Sequence, residues 1–402
     1  MNRGKYFVHM HACLIPVLIY SPAYTSLLEN SRRNEFKKGI DALEGRRRRT
    51  ETTISLRKNK KDEGIAKRRA MMTTPSSSMP TLSMHDDTKN NVDSSSSSSS
   101  KIYTVADIPS LKMTLSQPNI NDATLLDTVR GFRKILSVEH NPPVTEVLAS
   151  GVLPAFVQML QLNDKPKIQF EAAWALTNIA STDETKAIVD AGAVPCFAQL
   201  LSSPDPEVRE QCAWCLGNIA GDSAPLRDVV LSSGAMQPLL QNIAQPATKS
   251  LFNNCIWALS NFCRAKPQPN LSFVSPCVPT LAQILRSDSA DSSAKTDALW
   301  ALSYISDGDD DRIQTVIDSG ILDVLIAQLG EESNLATPAL RTVGNIVSGS
   351  DDQTQAVLDA GLMNQMQTLL NSPKRMIRKE ACWVLSNIGK SFDDTSCMYC
   401  IP

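Results

Sequence analysis

The residues of this chain best suited to hold a ligand are tryptophan and asparagine, set four apart and repeated. The pairs are Trp174/Asn178, Trp214/Asn218, Trp257/Asn261 and Trp383/Asn387, with Trp300/Tyr304 and Arg341/Asn345 as variants in the same register. An asparagine amide carries donors and an acceptor, so a column of amides can bond the N–H and C=O groups of an extended peptide. Indole faces between the amides form slots for long aliphatic stems and attract a charged tip by cation–π contact. Asparagine is a poor helix-interior residue because its side chain competes for backbone groups. Its recurrence therefore needs a reason. The plainer reading makes Trp core and Asn a satisfied bond between repeats, and one Trp alone would favour it. Nothing comparable points to catalysis. His9, His11, His85 and His140 lie near no nucleophile or carboxylate cluster in the sequence, and no phosphate-loop or cofactor motif appears. Cys212-Ala-Trp-Cys215 and Cys397-Met-Tyr-Cys400 lack a partner pair at zinc spacing. The remaining cysteines read as small buried apolar residues of a reducing compartment. The expectation is a binding protein that is not an enzyme and has no cofactor or metal.

Residues i and i+4 share a helix face, so each pair requires a helix. The first positions of successive motifs are 40, 43, 43, 41 and 42 residues apart, and all five tryptophans fall in this register. A fixed period of this length is the mark of a stacked helical solenoid of armadillo or HEAT type. Packed helices lie about 8–10 Å apart, and an extended chain rises about 3.3 Å per residue. Successive rungs can therefore grip successive short stretches of one peptide on a concave surface. The predicted fold is all-α, a right-handed armadillo-repeat superhelical solenoid over residues 117–402, with about seven repeats. Each repeat opens on a turn such as Ser203-Pro204-Asp205-Pro206 and contains a glycine turn at Gly192, Gly320 or Gly361 that supplies a left-handed helix cap. The first repeat carries Arg133 and Ser137 at the Trp and Asn positions, as an atypical terminal repeat should. The last is expected to be incomplete, with Val384, Leu385 and Ile388 poorly covered and fraying from about residue 372.

Charge divides the chain. Residues 31–70 hold 15 Lys and Arg against 6 Asp and Glu, whereas residues 71–402 hold 23 against 35. A basic arm joined to an acidic body suggests a basic ligand, self-association, or both. Residues 1–30 form an atypical segment whose apolar run is short and broken by Pro16, and no stretch reaches the roughly 18 apolar residues of a membrane span. Residues 71–116, with serine unbroken from Ser94 to Ser100, read as a flexible linker. It would let the arm reach back to the body at high effective concentration.

The arm, linker and Trp/Asn ladder together resemble the importin alpha family over roughly residues 31–390. The resemblance implies a nuclear-import adaptor that shuttles between cytoplasm and nucleus. It implies importin beta and cargo proteins with basic nuclear localisation signals as partners, nuclear pore components indirectly, and neither nucleic acid nor membrane directly. It places a major signal groove on Trp174, Asn178, Thr185, Gln211, Trp214, Asn218, Asp222, Trp257 and Asn261. In this groove Asp222 pairs with the key lysine of the signal. A minor groove falls on Trp300, Arg341, Asn345, Trp383 and Asn387. The importin-beta-binding arm would use Arg46, Arg47, Arg48, Arg49, Arg57, Lys58, Lys60 and Lys61, and Lys67, Arg68 and Arg69 would mimic a signal and occupy the groove from within. Two other readings remain: a different armadillo scaffold, which has no need of the arm, and nucleic-acid binding through the arm, which would be steeply salt-dependent.

Overall fold

The computed structural model describes residues 102–138, 141–330 and 334–391. The arm residues 46–69, residues 1–30 and the serine run lie outside these. All regular elements among the described residues are helical. They begin with α1 (Ile108–Leu115), α2 (Asp122–Leu136), α3 (Val144–Ala149), α4 (Leu153–Met159), α5 (Pro166–Ala180), α6 (Thr185–Asp190) and α7 (Ala193–Leu200). Next come α8 (Pro206–Asp222), α9 (Ala224–Ser232), α10 (Met236–Ala244), α11 (Lys249–Phe262), α12 (Leu271–Val274), α13 (Val278–Arg286) and α14 (Ser292–Ile305). The series ends with α15 (Asp310–Asp318), α16 (Leu322–Ala327), α17 (Ala336–Ile346), α18 (Asp351–Asp359), α19 (Met363–Leu370) and α20 (Arg375–Ser391). The described residues fall into two compact units, 102–196 and 197–391.

Both units are built from one triplet of two short helices and a longer third. The third helix starts where the sequence provides a cap. Asp205 accepts from the Glu207 amide ahead of Pro206, and Thr248, Asp291 and Asn121 cap α11, α14 and α2 in the same way. The turn between the two short helices ends on glycine at φ +77° (Gly192), +66° (Gly320) and +92° (Gly361), as the sequence requires. In the first unit α2 packs on α5. In the second, α8, α11, α14, α17 and α20 pack each on the next. These third helices carry the Trp/Asn register, so the ladder lies on a continuous run of neighbouring helices within each unit. Alanine, leucine and isoleucine fill the space between them: Ala172, Ala175, Leu176 and Ile179 on α5 are all buried, as are Ala213, Leu216 and Ile219 on α8.

Two boundaries differ from the sequence reading. Helical structure begins at Val105, inside the stretch assigned to the linker. Ile108 and Leu111 are buried, and Tyr103 is buried with its hydroxyl donating to Asp127 at 2.8 Å. The apolar spacing Ile108, Leu111, Leu115 is helical, but the neighbouring serine run obscures it. At the other end, Val384 and Ile388 are buried rather than poorly covered, and only Leu385 is half-buried. They share one helix face with Ile377 and Ala381, and α20 turns toward α17, α18 and α19.

Candidate functional site

The ladder asparagines are tied backwards. Asn261 donates from Nδ2 to the carbonyl of Gly217 at 3.0 Å, and Asn387 to Gly344 at 3.4 Å. Asn345 donates to the Ser303 carbonyl at 2.9 Å and the Ser306 hydroxyl at 3.2 Å. In the first unit Asn178 donates to Ser137, which stands at the Asn position of the preceding rung, at 3.1 Å. The plainer reading of Asn as an inter-repeat bond is therefore part of the answer. These bonds use the NH2 end and fix the amide plane, so the Oδ1 of Asn261 and Asn387 is the end a peptide N–H would address.

The tryptophans are seated by glycine. A Cβ added at Gly217 would overlap the Trp257 ring, and one at Gly344 would overlap Trp383. Glycine inside a helix costs about 0.5–1 kcal/mol relative to alanine, and here it lets the next indole lie against the backbone. Gly217→Ala is expected to push the Trp257 ring outward and weaken a basic peptide about threefold to tenfold, the scale of a cation–π contact. Peptide titration with the Trp fluorescence shift as a second readout checks it; normal affinity would mean that this ring is not a slot wall. Trp300 stacks on Tyr304 with centroids 6.1 Å apart and 24° between planes. Trp174 and Trp214 are buried, whereas Trp257, Trp300 and Trp383 are half-buried.

Several expected contacts sit differently. Thr185 is buried, and its hydroxyl donates to the carbonyls of Ala180 and Thr182 at 3.1 and 2.8 Å. It closes the end of α5 instead of offering a proton to a ligand. Arg341 is committed to Glu380, with Nε and Nη2 at 3.1 and 2.9 Å from the two carboxylate oxygens. Gln211 is buried on α8, three residues before Trp214. Asp222 is exposed and is the last residue of the 17-residue α8. A carboxylate there faces the negative end of the helix dipole, which disfavours it by about 0.3–1 kcal/mol. A cationic partner would relieve that cost.

Sequence reasoning missed the residues that hold the rungs. Arg227, fully buried, donates to the carbonyls of Arg264, Ala265 and Pro267 at 2.6, 3.0 and 2.8 Å. It ties α9 to the loop after α11. The same loop is held from the other side by Lys266 with Asp307 at 3.1 Å and by Arg312 donating to the Pro269 carbonyl. Arg264, at its start, donates to the Gly221 carbonyl next to Asp222. Glu171 and Glu380 were also missed. Each stands three residues before a ladder Trp, where the preceding rung has Arg in place of Trp (Arg133, Arg341). That coupling is a signal the sequence does carry.

These features define an armadillo-repeat protein whose long third helices carry the Trp/Asn register. Comparison with known families agrees. The Armadillo/beta-catenin-like repeat family matches residues 140–181, 181–221, 268–307 and 350–390, and the Importin beta binding domain family matches residues 32–121. The chain belongs to the importin alpha family. It is 45% identical over 356 residues to importin subunit alpha-3 of Arabidopsis thaliana, covering 88% of this chain and 64% of that protein. It is 45% identical over 267 residues to importin subunit alpha-1b of Oryza sativa subsp. japonica, covering 65% of this chain and 50% of that one. The chain thus spans about half to two thirds of the length of these relatives. Among solved structures, an engineered protein aligns with TM-score 0.64 at 29% identity over 70% of this chain and 68% of its own. A designed armadillo repeat protein in complex with the peptide (KR)4 aligns with TM-score 0.54 at 25% identity over 59% of this chain and 99% of its own.

Proposed function

We propose that the chain is a nuclear-import adaptor that holds basic nuclear localisation signals on its ladder helices and engages importin beta through residues 31–70. It would work by binding alone, shuttling between cytoplasm and nucleus. The observation that carries this reading is the joint presence of an importin-beta-binding match over residues 32–121 and an oriented Trp/Asn ladder with the exposed Asp222 at the end of its α8 rung. On this reading Trp214, Asn218, Asp222, Trp257 and Asn261 of the second unit take the main signal, and Trp174 and Asn178 of the first offer the same residue types. Gln211 lines the same groove from within α8. The Asn amides take the peptide backbone, the indoles take aliphatic stems, and Asp222 takes a lysine ammonium. Trp300, Asn345, Trp383 and Asn387 take a second basic cluster, with Arg341 shaping that region through Glu380. The (KR)4 peptide of the designed relative is the kind of ligand such a ladder suits.

The arm is the built-in competitor. Lys67, Arg68 and Arg69 would occupy the ladder until importin beta takes the arm through residues 46–49 and 57–61. Deleting residues 1–70 is expected to raise affinity for a basic signal peptide about tenfold or more, because an intramolecular ligand at effective millimolar concentration is lost. Adding importin beta to the intact chain should do the same. Titration of a labelled peptide onto both forms decides. Equal affinity would remove autoinhibition, and no binding by either form would remove the adaptor reading itself.

A further inference from the structure

The first unit contains a ligand-like contact made by the protein itself. The Arg133 guanidinium lies over the Trp174 ring, 4.1 Å from its centroid. Its Nε donates to Glu171 Oε2 at 2.8 Å, with both side chains nearly buried, at 9% and 6% exposure. Phe170 meets the same indole edge-on, with centroids 5.5 Å apart and 67° between planes. An aliphatic stem, a cation over an indole and a carboxylate for the charged tip are what a basic peptide side chain would find between two rungs. Here the preceding rung, α2, fills that place from within.

We propose that Arg133 is a register stop: it occupies the basic side-chain slot between the first and second rungs, so that a bound basic peptide cannot extend across it. This rests on the proposed binding of basic peptides along the ladder. A peptide cation reaches only the face of Trp174 that Arg133 leaves uncovered. The slot would otherwise be attractive, since Glu171 is a nearly buried carboxylate beside an indole. With Arg133 gone, its other partner is Arg130, 2.8 Å from Oε1 and itself 38% exposed. The Arg–Glu pair recurs in the second unit. Arg341, also at a Trp position, is bound by Glu380, three residues before Trp383. At both places the arginine in the Trp register is held by a glutamate three residues before the next tryptophan.

The test uses the intact chain and a basic peptide extended at either end by one lysine or one alanine. Ratios of lysine to alanine affinity within one protein cancel any competition from the arm. In the wild type the lysine that would enter this slot adds nothing. In Arg133→Ala the ratio is expected to rise about tenfold at one terminus only, the terminus nearer Glu171, as a cation gains an indole and a carboxylate. Arg133→Met keeps a stem over the ring, and Arg130→Ala removes equal charge from the same carboxylate. Both should leave the ratios unchanged. A rise in Arg130→Ala matching that in Arg133→Ala would mean general charge attraction and overturn the stop, as would unchanged ratios in an Arg133→Ala protein with normal helical circular dichroism. Carbodiimide coupling in the wild type keeps the idea open to refutation even if Arg133→Ala does not fold. An amide between a peptide lysine and Glu171 there would overturn it, and its absence beside coupling to other carboxylates supports it. Failure of the wild type to bind the unextended peptide at all would instead count against the adaptor reading.

Discussion

Asp222→Lys is expected to lower the affinity of the intact chain for a basic signal peptide more than tenfold. Asp222 is exposed at the last position of α8, where the helix carbonyls already concentrate negative charge. A lysine ammonium placed there gains a charge-assisted bond, which is about twice as strong as a neutral one. The variant removes that bond and sets a like charge against the incoming lysine. Loss of about 1.4 kcal/mol is already tenfold. Asp222→Asn, which keeps shape and a hydrogen-bond acceptor, should fall between the two. Fluorescence anisotropy at two salt concentrations measures the effect, and the wild-type advantage should shrink as salt rises. Unchanged affinity in a folded Asp222→Lys protein would remove this carboxylate from the site.

Arg227→Met is expected to destabilise the second unit by about 2–3 kcal/mol, as hydrogen bonds from a buried charged donor to part-buried carbonyls are lost. Arg227 is fully buried and serves three carbonyls of the loop that follows α11. Methionine fills much of the volume but offers no donor, so those carbonyls lose their partner. The Asp228 carboxylate contributes little to the cost because it is 53% exposed. Stacked repeats depend chiefly on neighbour interfaces, so the loss should be local. Amide exchange should quicken in residues 224–267 while α17 and α20 keep their protection. Because the loop also places Arg264 beside Gly221, peptide affinity should fall with stability. A uniform shift in exchange along the unit would mean that Arg227 is not a local tie.

The armadillo architecture was legible because its cause is periodic. Trp and Asn four apart recur at steps of 40–43 residues, and only helices stacked at that period put them in one row. The turn glycines were legible for a similar reason: a left-handed backbone at Gly192, Gly320 and Gly361 favours a residue without Cβ. Division into a basic arm and an acidic body needed only a count of charges. Tertiary structure decided what each rung contacts. Arg133 reads in sequence as a defect in the first repeat, yet its guanidinium stacks on Trp174 because α2 packs on α5. Arg227 has no motif, since its partners are backbone carbonyls 37–40 residues away, and backbone groups carry no sequence signature. Thr185 matched a contact position by family resemblance, but the turn after α5 directs its hydroxyl inward to Ala180 and Thr182. Periodicity determines which residues share a face; the bonds those residues make depend on the neighbouring helix that the fold brings against them.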